Sequence, residues 1–387
     1  MRSVLYPLLR PKLPTAEKLL PYLQRIDQNG WYTNHGPMLQ EFEAQLAEHF
    51  QLKVEQLATC ANATLAIAQT LKALDVEDGS LCIKPSWTFV APPAAAKWAS
   101  LEPYFVDVDP ETWLISPESV RDLARTRNVG AVVVVSAFGA PVDLGPWEAL
   151  TRDTGIPVVI DAAAGFDSFT PYAQWNTPIP VIISMHASNE SGSGEGALVL
   201  CSDAALAKQI SAFGNFGFSG GRQSSVAGAN TKMSEYVAAT GLAFMTEWPL
   251  RRKEWSELTA WFATELSATA GVRASPGFGN GWISSYGLIE LQGGISSDEM
   301  QKCLRQEGIE SRHWWAKGCH SQPAYSSCEK GPLTHTERLA ETVLGLPFWR
   351  GMTQDDVTTI FQSIRRIMRP SNTAFRDNTL LEKALPS

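Results

Sequence analysis

No apolar run in this chain of 387 residues is long enough to cross a bilayer. The longest, Ala131 to Val142, is interrupted by Ser136 and Gly139 and falls far short of the roughly 20 residues a membrane helix needs. Met1 to Pro14 carries Arg2, Arg10 and Lys12 around a short run that Pro7 breaks, which excludes a secretory h-region. Cys60, Cys82, Cys201, Cys303, Cys319 and Cys328 show no paired spacing, so they read as reduced thiols and not as a disulfide framework. Positive charge is not in excess: the net charge is −8 and the pI about 5.4, and a nucleic-acid surface is not expected. No internal repeat stands out. No G-x-G-x-x-G follows the first strand, which disfavours an NAD enzyme. These absences leave a soluble, cytoplasmic globular protein.

Apolar residues make up 44% of the chain, enough to bury a sizeable core. The length suggests two or three domains, or one large domain with an appendage. Helical and strand patterns alternate from about residue 38 to 245. Phe42, Leu46 and Phe50 share one helical face, as do Leu65, Ala68, Leu71 and Leu74. Short apolar runs at 57–60, 81–83, 131–135, 157–160, 180–184 and 197–200 read as buried strands. Such runs separated by helices imply an α/β sheet, mixed and mostly parallel, covered on both faces. Composition shifts near Trp248, so residues 1–248 are expected to form an N-terminal arm and large domain. Residues 249–387 then form a smaller C-terminal α/β domain, with helices over 255–266, 297–307 and 355–368, a strand over 288–291 and a polar tail from Arg369. Arg251-Arg252-Lys253 reads as a solvated helix start.

Ligands in open α/β sheets bind beyond the carboxyl ends of the strands. After Cys60 comes Ala61-Asn62-Ala63-Thr64 and a helix, which makes either a phosphate site or a plain Asn/Thr cap. Asp161 ends an apolar strand, where a carboxylate needs a partner: a protonated ring nitrogen or neighbouring loop amides. Ser184-Met-His186-Ala-Ser-Asn189 leads into Gly192-Ser-Gly194-Glu195-Gly196, a glycine-rich loop that by itself also fits a tight turn. His313, Cys319, His320 and Cys328 match no tetrahedral zinc spacing, and no metal is expected.

Taken together, about residues 15 to 370 resemble the nucleotide-sugar aminotransferases of the DegT/DnrJ/EryC1/StrS family, pyridoxal-phosphate (PLP) enzymes of fold type I. The matching residues are Gly30-Trp-Tyr-Thr-Asn-His-Gly-Pro37 with Glu41-Phe42-Glu43, Asn62-Ala-Thr64, Pro85-Ser-Trp-Thr-Phe89-Val-Ala91, and Phe105-Val-Asp-Val-Asp109. Asp161-Ala-Ala163, Ser184-Met-His186-Ala-Ser188, Gly194-Glu-Gly196, Gly228 to Glu235, and Trp314-Trp315 with His320-Ser-Gln-Pro-Ala324 follow in family order. The resemblance implies an aspartate aminotransferase-like fold and amino transfer from an amino acid, glutamate foremost, to a nucleotide-linked keto sugar. Such sugars serve surface polysaccharides or secondary metabolites. It implies PLP or pyridoxamine phosphate (PMP) as cofactor, with Asp161 on the ring nitrogen and Phe89, rather than Trp87, on the ring face. Asn62, Ala63, Thr64 and Ser184 would hold the phosphate. Asn230 and Lys232 would reach it from a partner subunit, in a homodimer with shared active sites. Tyr32, Thr33, Asn34, Arg312, His313 and His320 would line the sugar-nucleotide pocket. Ala164 stands where the family usually has a polar side chain near the cofactor's phenolic oxygen, a minor departure.

One departure is larger. The resemblance puts the Schiff-base lysine five residues after Ser184, and Asn189 stands there. An amide neither forms a Schiff base nor acts as a base, so impaired turnover is expected. Three accounts are compatible with this. The lysine was replaced in the laboratory; or the chain is a natural lysine-less enzyme using PMP, as in sugar 3-dehydratases; or it is an inactive homologue that binds nucleotide sugar or pairs with an active partner. Glu190-Ser191-Gly192 also departs from the family pattern, which favours natural divergence. His186, Glu190 and Lys232 are the candidates for a substitute base.

Overall fold

The computed structural model describes residues 5–170 and 177–369. Most of the expected tail therefore lies outside the described residues. Two helices, α1 (Ala16–Asn29) and α2 (Pro37–Phe50), precede the large sheet. The sheet is built from β1 (Leu57–Cys60), β2 (Leu81–Pro85), β3 (Glu102–Val106), β4 (Val129–Val135), β5 (Val158–Asp161), β6 (Val181–Ser184) and β7 (Ala197–Leu200). A late two-residue strand, β10 (Glu329–Lys330), joins its edge, giving the order β1-β7-β6-β5-β4-β2-β3-β10. Only β7 runs against its neighbours. The helices between the strands are α3 (Ala63–Ala73), α4 (Ala91–Trp98), α5 (Pro117–Ala124) and α6 (Gly145–Thr154), with α7 (Ala204–Phe213) after β7.

The continuous apolar strands explain this layering. Ile83, Val132, Val134 and Ile160 point into one core, shared with Phe42, Phe166 and Leu242. Ala131, Val133, Val159 and Ile182 point into the other, shared with Ile67, Leu71 and Ala95. Alternate residues of the central strands thus feed opposite layers, and both faces of the sheet are covered.

The smaller sheet, β11-β9-β8, is antiparallel and uses β8 (Val272–Ala274), β9 (Gly287–Leu291) and β11 (Val343–Leu346). Helices α9 (Ser297–Gln306), α10 (Thr334–Thr342) and α11 (Gln354–Met368) pack with it. The two sheets are joined by α8 (Glu235–Ser267), a single helix of 33 residues that contains Pro249. The expected division at 248/249 falls inside it.

The arginine run lies in mid-helix and not at a helix start, and it is only partly solvated. Arg251 lies in mid-helix, buried, with Nε and an Nη hydrogen-bonded to Glu247 at 2.9 and 2.7 Å. Arg252 donates to buried Asp167 at 2.6 Å. Arg252 and Lys253 are exposed, and Arg251 alone turns inward where α8 crosses the junction.

Candidate active site

Sheet geometry brings the phosphate-site candidates together. Cys60 on β1 and Ser184 on β6 both pair with Ala197 on the strand between them. The ends of β1 and β6 therefore lie on one side of the sheet, two strand spacings or about 10 Å apart. From β1 the chain enters α3, whose N-cap is Asn62, with Oδ1 accepting the Leu65 N–H at 3.0 Å. Ala63 and Thr64 form the first turn, where N–H groups lack helical partners and the helix dipole favours an anion. Ser184 donates its N–H to Ala163 O at 3.0 Å, and its Oγ accepts the His186 N–H at 3.1 Å.

Asp161 ends β5, beside β6. It is 6% exposed, and its Oδ1 accepts the Ala163 N–H at 3.2 Å. Burial pushes its carboxyl up to about 7, opposed by that one N–H. Such a desolvated carboxyl is set to meet a cationic partner. Phe89, two strands away beyond β2, is 59% exposed, whereas Trp87 is buried between Trp113 and Trp315 at ring distances of 6.2 and 5.3 Å. Phe89 is therefore the ring open to a ligand. Ala164 is buried against Gly139, which has φ +90°; a Cβ there would strike the Ala164 carbonyl oxygen. A buried carboxyl, an anion-accepting helix start, a serine and an open aromatic face on one side of the sheet fit a phosphorylated pyridine.

Asn189 sits among these groups. Its Nδ2 donates to Ala163 O and Ser184 O at 3.1 and 3.4 Å, and its Oδ1 accepts from the Tyr286 hydroxyl at 3.1 Å. Its neighbour Glu190 turns elsewhere: the carboxylate accepts the Phe166 N–H at 2.8 Å and the Ser285 hydroxyl at 3.0 Å. Burial pushes Glu190 up to about 8, and the negative charge of Asp167 adds to this. His186 Nδ1 meets Ser188 Oγ at 2.9 Å, and Nε2 lies 3.9 Å from Glu195. Tyr286 and Ser285 were not among the residues expected from sequence. The segment Ser284-Ser285-Tyr286 just before β9 was the available signal.

The remaining site residues occupy three separate stretches of the chain. Tyr32 stacks on Tyr236 at 6.2 Å, its carbonyl accepts the Glu235 N–H at 3.1 Å, and Thr33 O accepts from Trp31 Nε1. Asn34 follows in the left-handed region, φ 65°. Asn230 is exposed and accepts from Lys232 Nζ at 2.7 Å; that ammonium also lies over the Phe216 ring. Arg312 lies over Trp314 at 5.1 Å. His313 points back to Ser297 Oγ at 2.9 Å, and His320 Nδ1 meets Ser86 Oγ at 2.7 Å. Among the described residues no group of three or more His, Cys, Asp or Glu gathers as a metal site, and no helix is long and apolar enough to cross a membrane.

The fold is that of the PLP-dependent transferases of fold type I. The chain belongs to the DegT/DnrJ/EryC1/StrS aminotransferase family, whose profile matches residues 15–365. It is 29% identical over 379 residues to protein Rv3402c of Mycobacterium tuberculosis, covering 93% of this chain and 89% of that one. It is 28% identical over 371 residues to a dTDP-4-amino-4,6-dideoxy-D-glucose transaminase of Escherichia coli, covering 93% and 98%. A crystal structure of DesI with its TDP-sugar product superposes with a TM-score of 0.84 at 30% identity, covering 94% of this chain and 93% of that one.

Proposed function

We propose that this protein holds PLP or PMP without a covalent link and acts on nucleotide-linked keto sugars. Amino transfer from an amino acid, glutamate foremost, is the reaction of its ancestry. Asn189 stands at the position where the family carries its lysine. The carrying observation is the fit of that asparagine. Both Nδ2 hydrogens are engaged by backbone carbonyls, and Oδ1 is matched by a phenol 97 positions away in sequence. Glu190 beside it has its own two partners. This supports a settled part of the fold rather than a single laboratory replacement.

When bound, the cofactor supplies an electron sink. In this reading Asp161 keeps the proton on the ring nitrogen, Phe89 covers the ring, and Asn62, Ala63, Thr64 and Ser184 take the phosphate. Tyr32, Thr33, Asn34, Arg312, His313 and His320 receive the sugar nucleotide. Asn230 and Lys232 complete the site of a second copy. Exposed Tyr32, Phe216 and Tyr236, near these residues, support docking of that copy. Without an amine at position 189 the full cycle is slow, by at least about 10²–10⁴ for the missing acid/base alone.

The test is borohydride reduction of PLP-loaded protein followed by peptide mass spectrometry. The expected result is PLP that dialyses away and no absorption band at about 420 nm; Asn189→Lys gains both the band and the adduct. A borohydride-stable adduct in the unmodified chain overturns the reading. The phenol on Asn189 favours a second one. Release of water from a nucleotide-linked keto sugar with PMP alone places the chain with lysine-less sugar dehydratases. Sugar binding without turnover, even after Asn189→Lys, marks an inactive homologue or partner subunit.

A further inference from the structure

We infer that Glu190 and Ser285 are positioning residues for the place where the family carries its lysine. They fasten a strap, residues 283–286, over the carboxyl ends of β4, β5 and β6, and so fix Asn189 and the Tyr286 phenol at that place. This rests on the lysine-less reading above. Three of the four strap residues bond to segments that follow strands of the large sheet. The Ile283 N–H donates to Asp167 Oδ2 at 3.0 Å, Ser285 Oγ donates to Glu190 Oε2 at 3.0 Å, and Tyr286 Oη donates to Asn189 Oδ1 at 3.1 Å. The fourth, Ser284, accepts the Tyr286 N–H on its Oγ at 3.0 Å and so shapes the turn into β9.

The partners come from three strand ends. Asp167 lies six residues after β5, and Asn189 and Glu190 lie five and six residues after β6. The Tyr286 ring packs edge-on, at 5.6 Å, against Phe138, three residues after β4. Consecutive residues of the loop after β6 therefore meet consecutive residues of the strap, Asn189 with Tyr286 and Glu190 with Ser285. Glu190 ties in a further segment, since its Oε1 accepts the Phe166 N–H at 2.8 Å. Asp167 is in turn held by Arg252 of α8 at 2.6 Å.

The strap gets little stiffness from its own chain. Gly277, Gly279 and Gly281 just before it all have positive φ, and between β8 and β9 there is no helix or strand. The crossing side chains supply the stiffness, and they are out of water: Ser285 is 1% exposed, Glu190 2% and Asp167 3%. A buried carboxyl is retained only where its oxygens are matched. Both Glu190 oxygens are spent, one on the strap and one on Phe166. Glu190 therefore acts on the site only through Asn189 and Tyr286, as a positioning residue and not as a base.

The test compares Ser285→Ala, Glu190→Ala and Glu190→Gln with the wild type. Glu190→Gln keeps both bonds, with its amide oxygen on the Phe166 N–H and its Nε2 on Ser285 Oγ. The first readout is hydrogen exchange of the amides of residues 283–286 in cofactor-free protein, followed by mass spectrometry. Loss of one buried hydrogen bond should raise that exchange by about fivefold in Ser285→Ala, and further in Glu190→Ala. Glu190→Gln should exchange like the wild type. The second readout is the circular dichroism that bound PMP acquires from fixed surroundings. It should weaken in both alanine variants and persist in Glu190→Gln. A role confined to stability would lower the urea midpoint and leave that signal unchanged. Ser285→Ala removes only a hydroxyl, so it decides the matter even if Glu190→Ala does not fold. Strap amides as protected in Ser285→Ala as in the wild type overturn the inference. So does a loosened strap with unchanged dichroism of bound PMP, while the cofactor reading then survives. A wild type that binds no PMP removes both.

Discussion

Asp161 shows how one side chain couples sequence to chemistry. It ends a strand whose other residues are buried apolar ones, so the strand itself removes the carboxyl from water. A bound pyridinium would restore what hydration gave. Truncating one partner of a buried charge pair costs about 2–5 kcal/mol. Asp161→Ala should therefore weaken PMP binding by about 30-fold or more, read by equilibrium dialysis, since each 1.4 kcal/mol is about tenfold. An unchanged affinity would place the ring elsewhere. Asp161 and Ser184 were legible in the sequence because each closes a continuous Val/Ile run. The bond from Tyr286 to Asn189 was not, because it forms only when the small sheet closes on the large one. For the same reason Asn189→Lys carries a stability cost. It leaves the phenol and two carbonyls to find other partners, about 1–3 kcal/mol for the buried group, measurable as a lower urea midpoint even as the covalent link returns.

Helices α2 and α8 illustrate the same point one level up. The start of α2 has Gly36 as N-cap, which has no side chain to offer. Its first N–H groups are met instead by Glu235 from the first turn of α8: Oε2 accepts the Met38 N–H at 2.7 Å and Oε1 the Leu39 N–H at 3.2 Å. Glu235 is 1% exposed, and its own N–H goes to Tyr32 O. The contact therefore fixes both a helix end and the Tyr32–Asn34 segment. Glu235→Ala should cost about 2–3 kcal/mol by urea unfolding, a cap plus two stranded donors. A loss no larger than a surface substitution would show that water replaces the carboxylate. Element identity was readable where apolar runs are unbroken, as in β4 and β6. Strand β3 was not, because Pro103 and a polar first residue disguise it. The full length of α8 was hidden by Pro249 and the three cations after it, residues that usually end or expose a helix.

The whole molecule carries opposing proton linkages. Asp161 and Glu190 are raised from 3.8 to about 7 and from 4.5 to about 8, each mainly by burial. Between those limits the folded state holds a proton the unfolded chain has lost, so stability falls as pH rises, by up to about 1.4 kcal/mol per pH unit per group. His49, stacked on Phe166, acts the other way. Burial lowers it from 6.5 to about 4, so across that window the unfolded chain binds the extra proton and stability rises with pH. His35, His313 and His320 are lowered too, also chiefly by burial. Below pH 6.5 the histidines offset the carboxyls. Above it the carboxyls dominate, and in the alkaline range the thiols of Cys201 and Cys319, raised by burial from 9.0 to about 11 and about 12, keep stability falling with pH against the opposing contribution of the fully buried Lys84, lowered from 10.5 by burial. The cofactor-free protein should thus lose about 2 kcal/mol between pH 6.5 and 8, read as urea midpoints at the two values. Asp161→Asn with Glu190→Gln should flatten that interval, because neither amide titrates. PMP loading should remove the Asp161 share alone, since a pyridinium beside it keeps the carboxylate ionised at both pH values. A cofactor-free wild type equally stable at pH 6.5 and 8 would mean that water reaches both carboxyls and that neither is held as the burial of the two side chains requires.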